Sequence, residues 1–182
     1  GLGSAAWPER AGALLRERFP QATINVQNLS VARKTTADMA KRFEKEVLPL
    51  HPDLVIWETG TTEAVRGIDP AEFRGDLEDG LAKLRASNAE IVLMDMQYSR
   101  MTNALIHFNR YVVTMRGVAD VKDVALFPRY KIMQAWAEAG LFETTAGTAD
   151  GRRALADKLY RCLGAAVADF VLRRPEPQGE SK

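Results

Sequence analysis

Leu54-Val55-Ile56-Trp57-Glu58-Thr59-Gly60-Thr61-Thr62-Glu63 is the stretch on which the fold turns. An unbroken apolar run with β-branched residues at its centre suits a strand buried on both faces, and the polar, glycine-containing segment behind it suits a loop. Working outward, Ile91 to Met94 repeats the continuous pattern, Val124 to Phe127 is a shorter version, and Thr23 to Asn28 alternates as an edge strand does. Longer segments of helical period separate these runs, which predicts an α/β fold with a parallel sheet of four strands.

The helical segments carry their own punctuation. Asp69 before Pro70 is an N-cap followed by a first-turn proline, and Phe73, Leu77, Leu81 and Leu84 then share one face. Thr36 reads as the cap of a segment with Met39, Phe43 and Val47 inward, and Leu105, Phe108, Val112 and Met115 read as one further stripe. Pro8 opens a helix expected to turn Leu14 and Leu15 inward, while the last helix places Leu155, Leu159, Cys162, Leu163, Ala166 and Phe170 on its apolar face. Cys162 is therefore expected to be a packed thiol rather than a nucleophile. Residues 1–174 read as one domain, and Pro175 to Lys182, rich in proline and polar groups, as a flexible tail.

Composition narrows the function classes. The 182 residues carry 25 basic and 24 acidic side chains, a net charge of +1 with no basic run, so the field that phosphate backbones require is missing and nucleic acid is not an expected partner. No apolar stretch approaches the roughly 18 residues of a membrane span, and no membrane span is expected. A lone Cys162 with only His51 and His107 offers no Cys/His cluster for zinc. The glycine motifs that cradle nucleotide phosphates are also absent.

Several pieces in order resemble one family. Ser4-Ala5-Ala6-Trp7-Pro8 opens a helix, Asn28 closes the first run, Leu54 to Glu63 passes from strand to loop, and Asp123 to Phe127 precedes Asp150-Gly151-Arg152-Arg153-Ala154-Leu155-Ala156. This series is similar to the SGNH, or GDSL-type, ester hydrolases, in their small bacterial esterase and thioesterase/lysophospholipase branch. The resemblance implies a three-layer α/β/α, flavodoxin-like fold with a five-stranded parallel sheet. It implies hydrolysis of acyl esters or thioesters without metal or cofactor, and is compatible with a periplasmic or secreted location.

Carried onto this chain, the family's four chemical blocks are altered. The nucleophile block, Gly-Asp-Ser-Leu on the family's first strand, has no match; Ser4 reads as a helix-capping hydroxyl. The glycine whose backbone N–H helps hold the oxyanion falls on Arg33, with Ser30 nearby in the same loop. An arginine keeps the N–H if its conformation is tolerated; the other reading of Arg33 is a solvated side chain at a helix start. The Gly-x-Asn-Asp block matches Gly60-Thr61-Thr62-Glu63, so Thr62 replaces the asparagine donor. The Asp-x-x-His block places Glu143 at the aspartate and Ala146 at the histidine; a shifted register gives Asp150 and Arg153, whose guanidinium stays protonated at any working pH. Those residues equally suit an ion pair decorating a helix start.

The implied strand order sets the family's first strand between the Thr23 and Leu54 runs. Its place is expected to be filled by upstream residues, by a partner segment, or by the two neighbouring runs closing up. Three readings of function follow. One is an ester-hydrolase relative with impaired or no hydrolysis that binds a small acylated or anionic ligand, with Arg33 and Arg153 as possible anion contacts. The second is a non-catalytic ligand- or protein-binding module, and the third an active esterase with a displaced base such as His107. Gln97 and Tyr98, following the third run where ligands of open α/β sheets bind, are the expected cleft wall, and Trp57 is either an acyl-pocket wall or core.

Overall fold

The computed structural model describes residues 6–142 and 148–173. They form two compact units: one from the described residues up to Asn28 together with those from Phe142 on, the other from Leu29 to Leu141.

The larger unit holds the sheet. Strands β1 (Leu54–Glu58), β2 (Glu90–Met94) and β3 (Ala125–Phe127) pair in that order, all parallel. Leu54 faces Glu90 and Glu58 faces Met94; on the other side of β2, Met94 faces Phe127. The carboxyl ends of all three strands therefore finish level. Every residue of β2 from Ile91 to Met94 is buried, as its continuous apolar run predicts, whereas in β1 only Trp57 is fully buried. Among the described residues β1 pairs with β2 alone, so it is an edge, which explains its partial exposure.

Crossover helices join the strands. α3 (Thr61–Arg66) and α4 (Pro70–Leu84) link β1 to β2, and α5 (Arg100–Leu105) and α6 (Phe108–Lys122) link β2 to β3. The Asp69 side chain accepts from the Ala71 N–H at 2.7 Å, and Phe73, Leu77, Leu81 and Leu84 are all buried, as their spacing predicts. The Leu105-to-Met115 stripe is split instead: Ile106 is extended, so a new helix begins at Phe108 and buries Phe108, Val112 and Met115. Phe73, Leu77 and Leu81 of α4 share one core with Tyr111, Met115 and Val118 of α6, and with Trp57, Ile91 and Leu93 of the sheet. A short helix, α2 (Thr36–Ala40), and a π-type turn over Phe43–Val47 add Ala40 and Phe43 to that core. Thr35, not Thr36, is the α2 cap: its hydroxyl accepts from Asp38 N while Asp38 accepts from Thr35 N.

In the smaller unit α1 (Trp7–Arg18) packs on α8 (Ala149–Leu172). Small residues set the approach: Ala11 and Gly12 are buried on α1, with Leu163, Gly164, Val167 and Ala168 on α8. Leu14, expected inward, is 40% exposed, and Cys162 is only partly buried, because the contact follows the face that lets the two backbones meet. A β-carbon on Gly164 would lie 3.2 Å from the Trp7 carbonyl oxygen. The expected strand over Thr23 to Asn28 does not form. Arg16 Nε donates to the Ile24 carbonyl at 2.8 Å and Val26 packs over Gly12, so the segment folds back along α1 as a loop instead of entering a ladder. The four predicted strands are thus three among the described residues, against five in the family's sheet.

Gly80 on α4 lies beneath the Trp57 ring, where an added β-carbon would stand 2.2 Å from the ring edge. Alanine is favoured over glycine inside helices by about 1 kcal/mol. Gly80→Ala is nevertheless expected to destabilise the fold by roughly 1–3 kcal/mol through overpacking, measured by urea denaturation. A stabilised variant would show that the indole is free to move aside.

Candidate functional site

Ligands of open α/β sheets bind beyond the carboxyl ends of the strands, and here the level register gathers a polar group from each. β1 ends in Glu58, β2 is followed by Asp95 and Gln97, and β3 by Pro128 and Arg129. The Thr59 N–H donates to the Met94 carbonyl at 3.3 Å and the Asp95 N–H to the Phe127 carbonyl at 3.4 Å, carrying the alignment one residue past the ladder. Arg129, 4% exposed, pairs through NH1 with Glu58 Oε1 and donates through NH2 to Gln97 Oε1 at 3.4 Å. Its Nε has no partner among the described residues.

Asp95 is 1% exposed and lies at the start of α7 (Arg129–Glu138), where its Oδ1 accepts from the Tyr130 N–H at 2.7 Å. Oδ2 has no partner among the described residues. Burial pushes this carboxyl up to about 6, against the opposing pull of the Tyr130 N–H and of the Arg129 and Arg116 guanidinium groups. Beside it Tyr130 stands edge-on to Tyr98, ring centres 5.3 Å apart, and its hydroxyl donates to Asn103 Oδ1. Burial also raises the Tyr130 phenol, with smaller contributions from Tyr98 and Asp95.

A second buried polar group joins the loop before α2 to the turn after β1. Glu63, 0% exposed, accepts the Thr36 N–H on Oε1, while its Oε2 has no partner among the described residues. The hydroxyls of Thr36 and Thr59, both buried, are 2.6 Å apart. Gly60 caps α3 at φ +93°, and a β-carbon there would meet Met96 at 2.8 Å, so this turn requires glycine twice over. Arg33 holds φ +65°, the left-handed region that glycine favours, and its carbonyl accepts from Arg66 NH2 at 3.3 Å.

The sequence candidates fall out as follows. Arg33 lies in the loop before α2, with Ser30 exposed in the same loop; Gly60 caps α3 and Thr62 is in α3 itself, one residue before Glu63, so the expected loop over residues 61–63 is helical instead. Gln97 and Tyr98 are in the strand-end group. Arg33 is not at a helix start; it precedes the cap Thr35. Asp150 and Arg153 form an exposed ion pair at the start of α8, with a separation of 3.7 Å, which suits decoration of a helix end. Ser4, Glu143 and Ala146 lie outside the described residues, as does the tail from Pro175. His51 is exposed in the turn leading into β1, at the amino end of the strand, and His107 is an exposed residue at the α6 cap position. Trp57 is core, edge-on to Phe43 at 5.0 Å. Among the described residues no cluster of three His, Cys, Asp or Glu groups could hold a metal ion, and no helix is long and apolar enough to cross a membrane.

Sequence reasoning passed over Glu58, Asp95 and Arg129, whose one signal is their place: the last residue of β1, the first after β2 and the second after β3. Glu63 and Thr36 carried no such signal, because an acidic or hydroxyl residue in a short helix reads as solvated. The two groups together offer donors, a buried cation and carboxylates to a polar ligand, with aromatic rings beside them.

Asp95 binds its proton more tightly in the folded chain than in the unfolded one, whose carboxyl has the ordinary value of 3.8. The folded state therefore holds the extra proton between about pH 4 and 6, and this contribution to stability is present below that window and lost as pH rises through it. Asp95→Asn is expected to stabilise the protein by roughly 1–3 kcal/mol at pH 8 and to change little at pH 4, read by urea denaturation at both values. The same difference at both would contradict burial as the cause. Glu58→Ala, which strips the buried Arg129 of its partner, is expected to cost about 1–3 kcal/mol, the exposed side of Glu58 moderating the loss; Glu58→Gln should recover part of it.

Comparison with known proteins places this geometry. The sequence profile of the non-GDSL lipase-like family matches residues 2–176. Over 94 residues the chain is 31% identical to thioesterase 1/protease 1/lysophospholipase L1 of Escherichia coli K12, an alignment covering 52% of this chain and 43% of that protein. The chain thus matches less than half the length of that curated relative. Among solved structures, TesA superposes with a TM-score of 0.66 at 24% identity, covering 88% of this chain and 86% of that one. The lipase/acylhydrolase of Enterococcus faecalis superposes with a TM-score of 0.74 at 19% identity, covering 93% and 90%. The chain belongs to the non-GDSL lipase-like family and has the α/β/α fold of the SGNH hydrolases.

Proposed function

We propose that this chain is a member of the SGNH acyl-ester hydrolase lineage with impaired or no hydrolysis of its own, and that its strand-end cleft receives a small acylated or anionic ligand. The reading rests on one observation above others. Among the described residues the carboxyl ends of the strands gather carboxylates, threonines, tyrosines and a buried guanidinium, but no imidazole. The two histidines of the sequence are exposed and stand in turns or caps, where nothing orients a ring toward a nucleophile. Ala146, at the position the resemblance gives to the base, cannot take a proton.

Binding asks less of these residues than catalysis. The Arg33 backbone N–H and the Thr62 hydroxyl are assigned to receive a ligand oxygen, and the left-handed backbone of Arg33 supports a position that relatives fill with glycine. Gln97, Tyr98 and Tyr130 supply a wall with polar and aromatic character. The names of the relatives, a thioesterase/lysophospholipase and a lipase/acylhydrolase, support an acyl chain as part of the ligand.

Incubation with p-nitrophenyl butyrate tests the reading. No release of nitrophenolate above the spontaneous rate is expected. Clear turnover would contradict impaired hydrolysis, and its loss in His107→Ala would identify a displaced base.

A further inference from the structure

Glu63 poses a problem that the fold does not explain. A carboxyl group with no exposure and, among the described residues, one oxygen without a partner is costly to bury, and a well-packed apolar residue in such a place is often neutral or better. Its other oxygen accepts a single backbone N–H, that of Thr36. Thr36 lies three residues after Arg33, and Glu63 directly follows Thr62. The bond therefore ties residues 33–36, a loop and the first residue of α2, to residues 59–66, a turn and α3, and these two segments carry the assigned oxygen-receiving groups.

The same two segments are joined twice more. The Thr36 and Thr59 hydroxyls meet at 2.6 Å in a buried contact, and Arg66 NH2 reaches the Arg33 carbonyl at 3.3 Å. Between these ties the capping box of Thr35 and Asp38 fixes the chain that leaves Arg33. A left-handed backbone at a residue with a side chain is strained and persists only where its surroundings over-determine it. Here the Arg33 carbonyl and the three residues after it are held by these ties.

We infer that Glu63, with the Thr36–Thr59 hydroxyl pair, is a positioning residue that holds the Arg33 N–H and the Thr62 hydroxyl at a fixed spacing for one oxygen of the ligand. The inference rests on the assignment of Arg33 and Thr62 made above. It makes the buried carboxyl an element of preorganisation and Arg66 an outer clamp on the carbonyl that follows the Arg33 N–H. Glu63 itself touches no ligand.

The test uses the full chain, labelled with 15N and titrated with propylphosphonate, a tetrahedral anion on a short alkyl chain. In the unaltered protein the Arg33 and Thr62 amide signals are expected to shift saturably. Glu63→Gln keeps the acceptor for Thr36 and should bind within about twofold of the parent; Glu63→Leu should bind about tenfold more weakly. Where Glu63→Leu does not fold, the paired change Thr36→Val with Thr59→Val, which replaces two bonded hydroxyls by methyls of the same shape, should weaken binding by roughly three- to tenfold with a smaller effect on melting.

A folded Glu63→Leu or paired valine variant that melts earlier yet binds as tightly as the parent would reduce these residues to structural support and overturn the inference. If the parent shows no shift at all, the ligand assignment fails, and the positioning claim is read separately from the intraresidue amide-to-Hα NOE of Arg33, which is strong only at positive φ. That NOE should persist in Glu63→Gln and weaken in Glu63→Leu or in the paired variant; no change would overturn the claim.

Discussion

A buried guanidinium has to be paired, and Arg129 finds its partner two strands away. Its bond to Glu58 reaches from the start of α7 to the end of β1, passing over β2, where Gln97 takes a second N–H. That reach is possible only because the parallel register brings Glu58, Met94 and Phe127 level. Asp95 closes the arrangement from β2 by holding the first turn of α7. The end of the sheet is thus locked by charge and hydrogen bonding where the rest of the larger unit is locked by apolar packing. In a low-dielectric setting such a network has a defined geometry or a high cost. The spacing of the three strand ends is held by that requirement.

Much of the fold was legible because burial leaves simple signatures. The apolar runs at Leu54, Ile91 and Val124 became the three strands, and Asp69-Pro70 began the helix that its capping chemistry predicts. The failures share a cause, since each depended on a partner that periodicity cannot show. Thr23 to Asn28 has the alternation of an edge strand, but alternation describes one face of a ladder and supplies no neighbour; bonds to α1 claimed it. Leu14 lost its inward place to Gly12, because at a close helix crossing the absence of a side chain decides the contact. The stripe from Leu105 to Met115 kept its apolar residues and lost its continuity, a break at Ile106 that helical spacing does not encode.

The site was legible in a different way. The resemblance singled out Gly60, Thr62 and Arg33; the structure gives Gly60 and Arg33 positive φ values, while Thr62, expected in a loop, lies in the first turn of α3. What the sequence hid was the connection between them. Glu63 and Thr36 are 27 residues apart, and nothing in their local context marks a buried bond. Asp95 showed only its place behind β2; an acid there usually reads as solvated, and its 1% exposure is not written in its neighbours along the chain.

The proposed function has one central claim: the strand-end groups of this chain serve binding, and among the described residues no imidazole stands beside a hydroxyl to activate it. Exposure of the folded chain to an alkyl fluorophosphonate, followed by intact-mass and peptide mass spectrometry, tests it most directly, because that reagent reports an activated hydroxyl without need of turnover. The account predicts an unmodified mass. A stoichiometric phosphonyl adduct on one serine or threonine would contradict it.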